Sequence, residues 1–147
     1  MTVEVVDEFD SEHVSELVQL YDQYHWWDDR TSDTIRRMIE HTDVLVGLRD
    51  TRSKELVAAG RVLTDFVYYA KIYDVIVTET HRGDGLGKKL VTAIVGHPVL
   101  DSVSALTLDC RSGLIPFYEK CGFTQHEKRI NFEERTEEIV PMVYRTE

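Results

Sequence analysis

The residues whose types and spacing could do chemistry centre on one run, Arg82-Gly83-Asp84-Gly85-Leu86-Gly87-Lys88-Lys89. It follows an Ile-, Val- and Tyr-rich stretch, Tyr69–Val77, and opens a stripe of helical period, Leu86, Leu90, Val91 and Ile94. A helix N-terminus presents unpaired N–H groups and partial positive charge. Glycine lets an anion approach that backbone without a Cβ in the way. With Arg82, Lys88 and Lys89 alongside, this is the physics of a pyrophosphate cradle. A Walker A loop is excluded, because Gly83 and Gly87 enclose three residues rather than four, and Lys89 replaces the hydroxyl after Lys88. A dinucleotide fingerprint is excluded because Lys88 stands where its third glycine belongs. The spacing that fits is R-x-x-G-x-G. A glycine-rich turn with no ligand is the bland alternative.

Other groups could supply acids, bases and a binding wall. Tyr73-Asp74 lies inside the apolar stretch, where a carboxylate is costly to bury unless it is paired. Asp109 and Cys110 end another apolar run, and Cys110 reads as a buried small hydrophobe. Tyr24, His25, Trp26 and Trp27 crowd together before Asp28, Asp29 and Arg30. That cluster is either core aromatics beside a solvated acidic face, or a wall that attracts a cationic amine. The histidines at 13, 25, 41, 81, 97 and 126 have no ligand spacing, so no metal site is expected.

The elements that must position these residues follow from periodicity. Val3–Val6 reads as a strand. Ser11 caps a helix to about Gln23, with Val14, Leu17, Val18 and Tyr21 inward. Thr31 or Ser32 caps a second helix to His41, with Ile35, Met38 and Ile39 inward. Val44–Leu48 and Leu56–Leu63 form a hairpin across DTRSKE, and Tyr69–Val77 is the next strand. A helix from about Gly85 to Val95 ends at His97-Pro98. Ala105–Cys110 is a strand, and Leu114–Lys120 is a short helix stopped by Gly122. Phe123–Asn131 and Ile139–Tyr144 form a closing pair, with EERTEE between them. The order is β-α-α-β-β-β-α-β-α-β-β, an α/β or α+β fold with a mixed sheet.

Length and charge bound the rest. The chain of 147 residues fits a single domain, 1–147. Its net charge is −10, and residues 1–29 hold nine acids and no Lys or Arg. The remainder is nearly balanced, which argues against nucleic acid and leaves open a cationic partner near the N-terminus. No apolar run reaches membrane-spanning length, and the acidic N-terminus lacks the basic start and apolar core of a signal peptide, so none is expected. Two cysteines are too few for a disulfide scaffold, so a reduced, cytoplasmic protein without a membrane partner is expected.

The glycine run resembles the acetyl-coenzyme A signature of the GNAT acetyltransferase superfamily. Leu108-Asp109-Cys110 followed by Phe117-Tyr118-Glu119-Lys120-Cys121-Gly122-Phe123 resembles that family's late strand and helix-to-strand turn. This second motif is especially similar to glucosamine 6-phosphate N-acetyltransferases. The resemblance covers about residues 30–125. It implies a mixed, mostly antiparallel sheet of about six or seven strands flanked by about four helices.

By the same resemblance acetyl-CoA is the cosubstrate, with no metal. The backbone of Val75, Ile76 and Val77 would pair with the pantetheine arm. Arg82 and the run Gly83, Asp84, Gly85, Leu86, Gly87 and Lys88 would hold the pyrophosphate. Tyr118 matches the tyrosine that protonates the leaving thiolate, the two pKa values being close. Relatives carry Glu-Asp where this chain has Tyr73-Asp74, so the glutamate is replaced. Asp74 would be base, acceptor anchor or structural hydrogen-bond acceptor. Asp109 would hold an ammonium or cap a strand, and a base acting through water stays open. Trp26, Trp27, Asp28, Asp29, Arg30 and Tyr73 would line the acceptor channel, and Arg61, Lys71 and Arg111 are available to bind a phosphate on the acceptor. The implied reaction is acetyl transfer to a primary amine of a small molecule by direct attack, the acceptor being an amino-sugar phosphate, polyamine-like or amino-acid-like. The alternatives are a protein N-acetyltransferase or a catalytically silent acyl-CoA-binding module. A homodimer is left open.

Overall fold

The computed structural model describes residues 2–146. The chain divides into two compact units, residues 1–110 and 111–147, and each has its own architecture.

The first unit is a five-stranded sheet in sequence order. Its strands are β1 (Val3–Val6), β2 (Val44–Asp50), β3 (Leu56–Thr64), β4 (Ala70–Val77) and β5 (Leu106–Thr107). All neighbours are antiparallel except β4 and β5, which run parallel. The helices are α1 (Val14–Asp22), α2 (Ser32–Glu40) and α3 (Leu86–Val95). β2 and β3 are apolar and buried over nearly their whole length because both faces of the sheet are covered. Ala59 and Ile76 pack with Leu17, Tyr21 and Ile35 of α1 and α2. Gly60, the next residue on β3, faces α3, where an added Cβ would stand 2.9 Å from Ile94 Cδ1. Successive strand residues point to opposite faces, so α1 and α2 cover one face and α3 the other.

Most expected elements form, with instructive shifts. The first helical segment is capped by Asp10 rather than Ser11, since the Asp10 carboxylate accepts the Glu12 N–H at 2.9 Å. It begins as a 3₁₀ turn, Ser11–His13, before α1. Thr31 caps α2, and Thr34 returns the bond to the Thr31 N–H. The late strand is shorter than expected, because β5 meets β4 only at Ala70↔Leu106 and Lys71↔Thr107. The cause is a bulge on β4: Ala59 pairs with Ile76 but Arg61 with Tyr73, so Asp74 and Val75 face Gly60 alone. Such a bulge bends and twists the strand that carries it, away from its neighbour.

The second unit holds α4 (Ile115–Lys120) and a separate two-stranded sheet, β6 (Arg129–Phe132) and β7 (Arg135–Glu138). Here the expected closing pair is corrected. EERTEE is not a connection but supplies the turn and β7 itself. Glu133 and Glu134 adopt φ of 50° and 68°, the twist of a tight two-residue hairpin turn. Opposite charges face each other across it at Arg129↔Glu138. Among the described residues no helix is long and apolar enough to cross a membrane.

Candidate functional site

The β4 bulge decides where its acid points. Asp74 takes the left-handed φ of +56°, a conformation that short polar residues tolerate best. Its carboxylate therefore turns to the α1 and α2 side and meets two arginines, Arg30 and Arg61. Oδ2 accepts from Arg61 Nε at 2.6 Å and from Arg30 Nη1 at 2.9 Å, and Oδ1 accepts from Arg30 Nη2 at 3.2 Å. Burial pushes this carboxyl up, but the hydrogen bonds and charges of both guanidiniums outweigh it and hold its pKa below the ordinary 3.8. Burial together with the Asp74 charge pushes the Tyr21 phenol beneath this cluster up to about 12. The sequence offers Arg30 and Arg61 for the acceptor, and their pairing with Asp74 has no local signal, since that partner lies 44 and 13 residues away.

Arg30 also fixes the aromatic segment. Its guanidinium stands 4.6 Å from the Tyr21 ring and 5.3 Å from the Trp27 ring. Trp27 is half-buried against the apolar cluster, edge-on to Tyr21 at 5.6 Å. Trp26 remains 45% exposed, and Asp28 and Asp29 are exposed beside it. The structure thus divides this group: Trp27 joins the core, while Trp26 and the two acids face solvent.

Beyond Lys71 no strand pairs with the β5 side of β4 among the described residues. Thr78 N–H donates to Val57 O at 2.8 Å, so by antiparallel alternation the main chain of Ile76 faces β3, and that of Val77 faces the open edge. Ile76 thus departs from the expected edge role. The Tyr24 hydroxyl donates to Val77 O at 3.3 Å and itself accepts from Arg82 Nη2. Gln23 accepts the Glu79 N–H at 2.8 Å, tying the end of α1 to the end of β4.

The edge leads into the glycine turn. Gly83 and Gly85 hold φ of +86° and +78°, and a Cβ at either would meet nothing within 4 Å. Gly85 is the N-cap of α3, and no side chain caps that helix. The first amides of α3 are thus turned to open space. Leu86 is buried and anchors the helix, while Arg82, Asp84, Lys88 and Lys89 are exposed. An uncapped helix start, an open glycine cradle and an unpaired strand edge in succession fit a pyrophosphate joined to an amide-bearing arm, as in acyl-CoA.

Asp109 lies elsewhere on the unit. It is 89% exposed and accepts from Lys71 Nζ at 2.8 Å. That hydrogen bond raises the Lys71 pKa. Cys110 is exposed, not the buried small hydrophobe expected at the end of a longer strand. Among the described residues no group of three or more His, Cys, Asp or Glu could hold a metal ion.

In the second unit the FYEKCGF turn explains how Tyr118 is held. Phe123 N–H donates to Tyr118 O and Gly122 N–H to Glu119 O, both at 3.0 Å. This is the bond pair of a Schellman C-cap, with Gly122 at φ +97°. The hydrophobic contact that accompanies such a cap is Phe123 against Tyr118, centroids 5.8 Å apart, and Phe117 packs on the Tyr118 ring at 4.9 Å.

Known proteins are similar to this chain in sequence and in fold. The chain is 29% identical over 110 residues to an uncharacterised N-acetyltransferase of Porphyra purpurea, covering 74% of this chain and 63% of that protein. It thus spans less than two thirds of that relative's length. A GNAT-family protein of Xanthomonas campestris pv. campestris superposes with a TM-score of 0.70 at 26% identity, covering 86% of this chain and 87% of the other. Glucosamine-6-phosphate N-acetyltransferase of Arabidopsis thaliana shares the fold, with a TM-score of 0.68 at 23% identity over 90% of this chain and 98% of that one. The model of the acetyltransferase (GNAT) domain matches residues 6–146, crossing the boundary between the units, and the chain belongs to that family.

Proposed function

We propose that the chain transfers an acetyl group from acetyl-CoA to a primary amine of a small molecule, by direct attack within a ternary complex. The observation that carries this reading is the unpaired edge of β4 running into the open glycine turn at the start of α3. The amides from Gly83 to Lys88 would hold the pyrophosphate, with Arg82 and Lys88 adding charge. The main chain of Val75 and Val77 would pair with the pantetheine arm as an added strand does. Bound there, acetyl-CoA supplies the activated acyl group. The amine nitrogen bonds to the acetyl carbonyl carbon as the carbon–sulfur bond breaks. Tyr118 gives the proton that the departing sulfur takes, and the proton lost by the amine restores the phenol.

Asp74 is assigned to anchoring, because a carboxylate stabilised by two guanidiniums is a poor base. Water then carries the amine's proton, with Asp109 as the exposed carboxylate able to hold an ammonium. Trp26, Asp28 and Asp29 would face the incoming amine. The test incubates the protein with acetyl-CoA and a panel of amines and follows thiol release, alongside a CoA titration. Turnover of at least one amine is expected, and Tyr118→Phe should lower kcat about 100-fold with CoA affinity nearly unchanged. An unchanged rate removes Tyr118 from the mechanism.

The replacement of the relatives' glutamate by Tyr73 favours a second reading, a catalytically silent acyl-CoA-binding module. Tight CoA binding with no turnover across a broad panel is its signature.

A further inference from the structure

The face of β3 and β4 that carries Asp74 holds more positive than negative charge. Arg30, Arg61 and Lys71 meet only Asp74 and Asp109 in ion pairs. Arg61 stands directly across from Tyr73, and Lys71 lies two residues before Tyr73 on the same face. The Tyr73 ring is 5.6 Å from the Arg61 guanidinium and 5.5 Å from the Lys71 ammonium, so it spaces the two cations. Arg61 uses Nε on Asp74 and Nη1 on Thr42, and Nη2 bonds to no described residue. The Tyr73 hydroxyl likewise has no partner among the described residues. Lys71 has one, but Asp109 is 89% exposed, and so solvated an ion pair exchanges readily for another anion. A guanidinium nitrogen, a phenol and an ammonium thus stand together with donors to spare, the combination that recognises a carboxylate or phosphate.

We propose that Arg61, Tyr73 and Lys71 form an anion subsite for the acceptor, so that the amine receiving the acetyl group also carries a carboxylate or a phosphate. The proposal rests on the acetyl-transfer reading and narrows it: amino-acid-like and amino-sugar-phosphate acceptors fit, and polyamines do not.

The test compares matched pairs by thiol release. One pair is an α-amino acid and its decarboxylated amine; the other is an amino-sugar phosphate and the free amino sugar. In at least one pair the anionic member should have kcat/KM about tenfold higher or more, mostly through KM, the scale of one charge-assisted hydrogen bond. The pair that shows it distinguishes carboxylate from phosphate. Tyr73→Phe and Lys71→Met, which leave the Asp74 cluster intact, should each lower that ratio several-fold. Equal kcat/KM within both pairs, or a ratio unmoved by both variants, overturns the subsite. Should no amine be acetylated, calorimetric binding of the same pairs decides separately. Tighter binding of the anionic member, lost in Lys71→Met, sustains the subsite and removes the transfer reading. Equal binding removes the subsite itself.

Discussion

Asp74 sits in the β4 bulge, in the left-handed region of the backbone. It is 9% exposed and accepts three hydrogen bonds from two guanidiniums. Asp74→Asn leaves those cations facing an amide that cannot neutralise them. We expect a loss of about 2–3 kcal/mol, below the full cost of breaking a buried pair because both arginines are partly exposed. The pH dependence has a definite sign. The folded carboxyl titrates below the ordinary 3.8, so its stabilisation is complete above that value and is lost as pH falls through the folded pKa. Urea denaturation of the wild type and Asp74→Asn across that range should show the difference between them shrinking towards acid. A constant difference would place the effect in packing rather than charge. The sequence marked Asp74 as a carboxylate needing a partner, from its place in an apolar strand. It could not pair Arg30 and Arg61 with that carboxylate, because the pairing depends on a bulge whose signal is a single register slip.

At the scale of elements, local chemistry was legible where glycines or an apolar stripe mark it. The glycine turn, the α3 stripe and the Schellman cap at Gly122 each rest on neighbours within a few residues, and each forms as the spacing implies. Strand bounds in the later part of the chain were misjudged. β5 is cut short by the bend of β4, and β7 arises inside EERTEE because the charge pairing and the Glu133-Glu134 turn suit a hairpin that composition alone would not suggest. The glycine turn permits a clean separation of fold from ligand. Gly85→Ala puts a side chain at φ +78° in space where it clashes with nothing. Thermal denaturation should show a loss of only about 1 kcal/mol. CoA affinity should fall by tenfold or more, since the new Cβ stands where the pyrophosphate must approach. Equal, small losses in both would mean that the phosphates bind elsewhere.

Over the whole molecule charge is segregated. The net −10 resides almost entirely in residues 1–29, and the exposed Asp28 and Asp29 stand near Arg30, whose own charge is spent on Asp74. An amine bearing an anionic group would then meet acids along the N-terminal segment and cations on the sheet face. Asp28→Asn with Asp29→Asn should raise KM several-fold at low ionic strength for a net-cationic amine, such as the decarboxylated or phosphate-free member of each pair, and should not raise it for the anionic member. The effect should fade near 0.5 M salt, where screening falls to about 4 Å. A salt-independent change would point to a direct contact rather than to steering. The left-handed backbone at Asp74 has a consequence for how this molecule can vary. A position at φ +56° accepts Gly, Asn or Asp readily and resists a β-branched or bulky replacement. Tyr73 next to it carries no such restriction. Of these adjacent residues on one strand, Tyr73 can be exchanged, and with it the acceptor under the subsite proposed above, whereas Asp74 is held by the geometry of the chain.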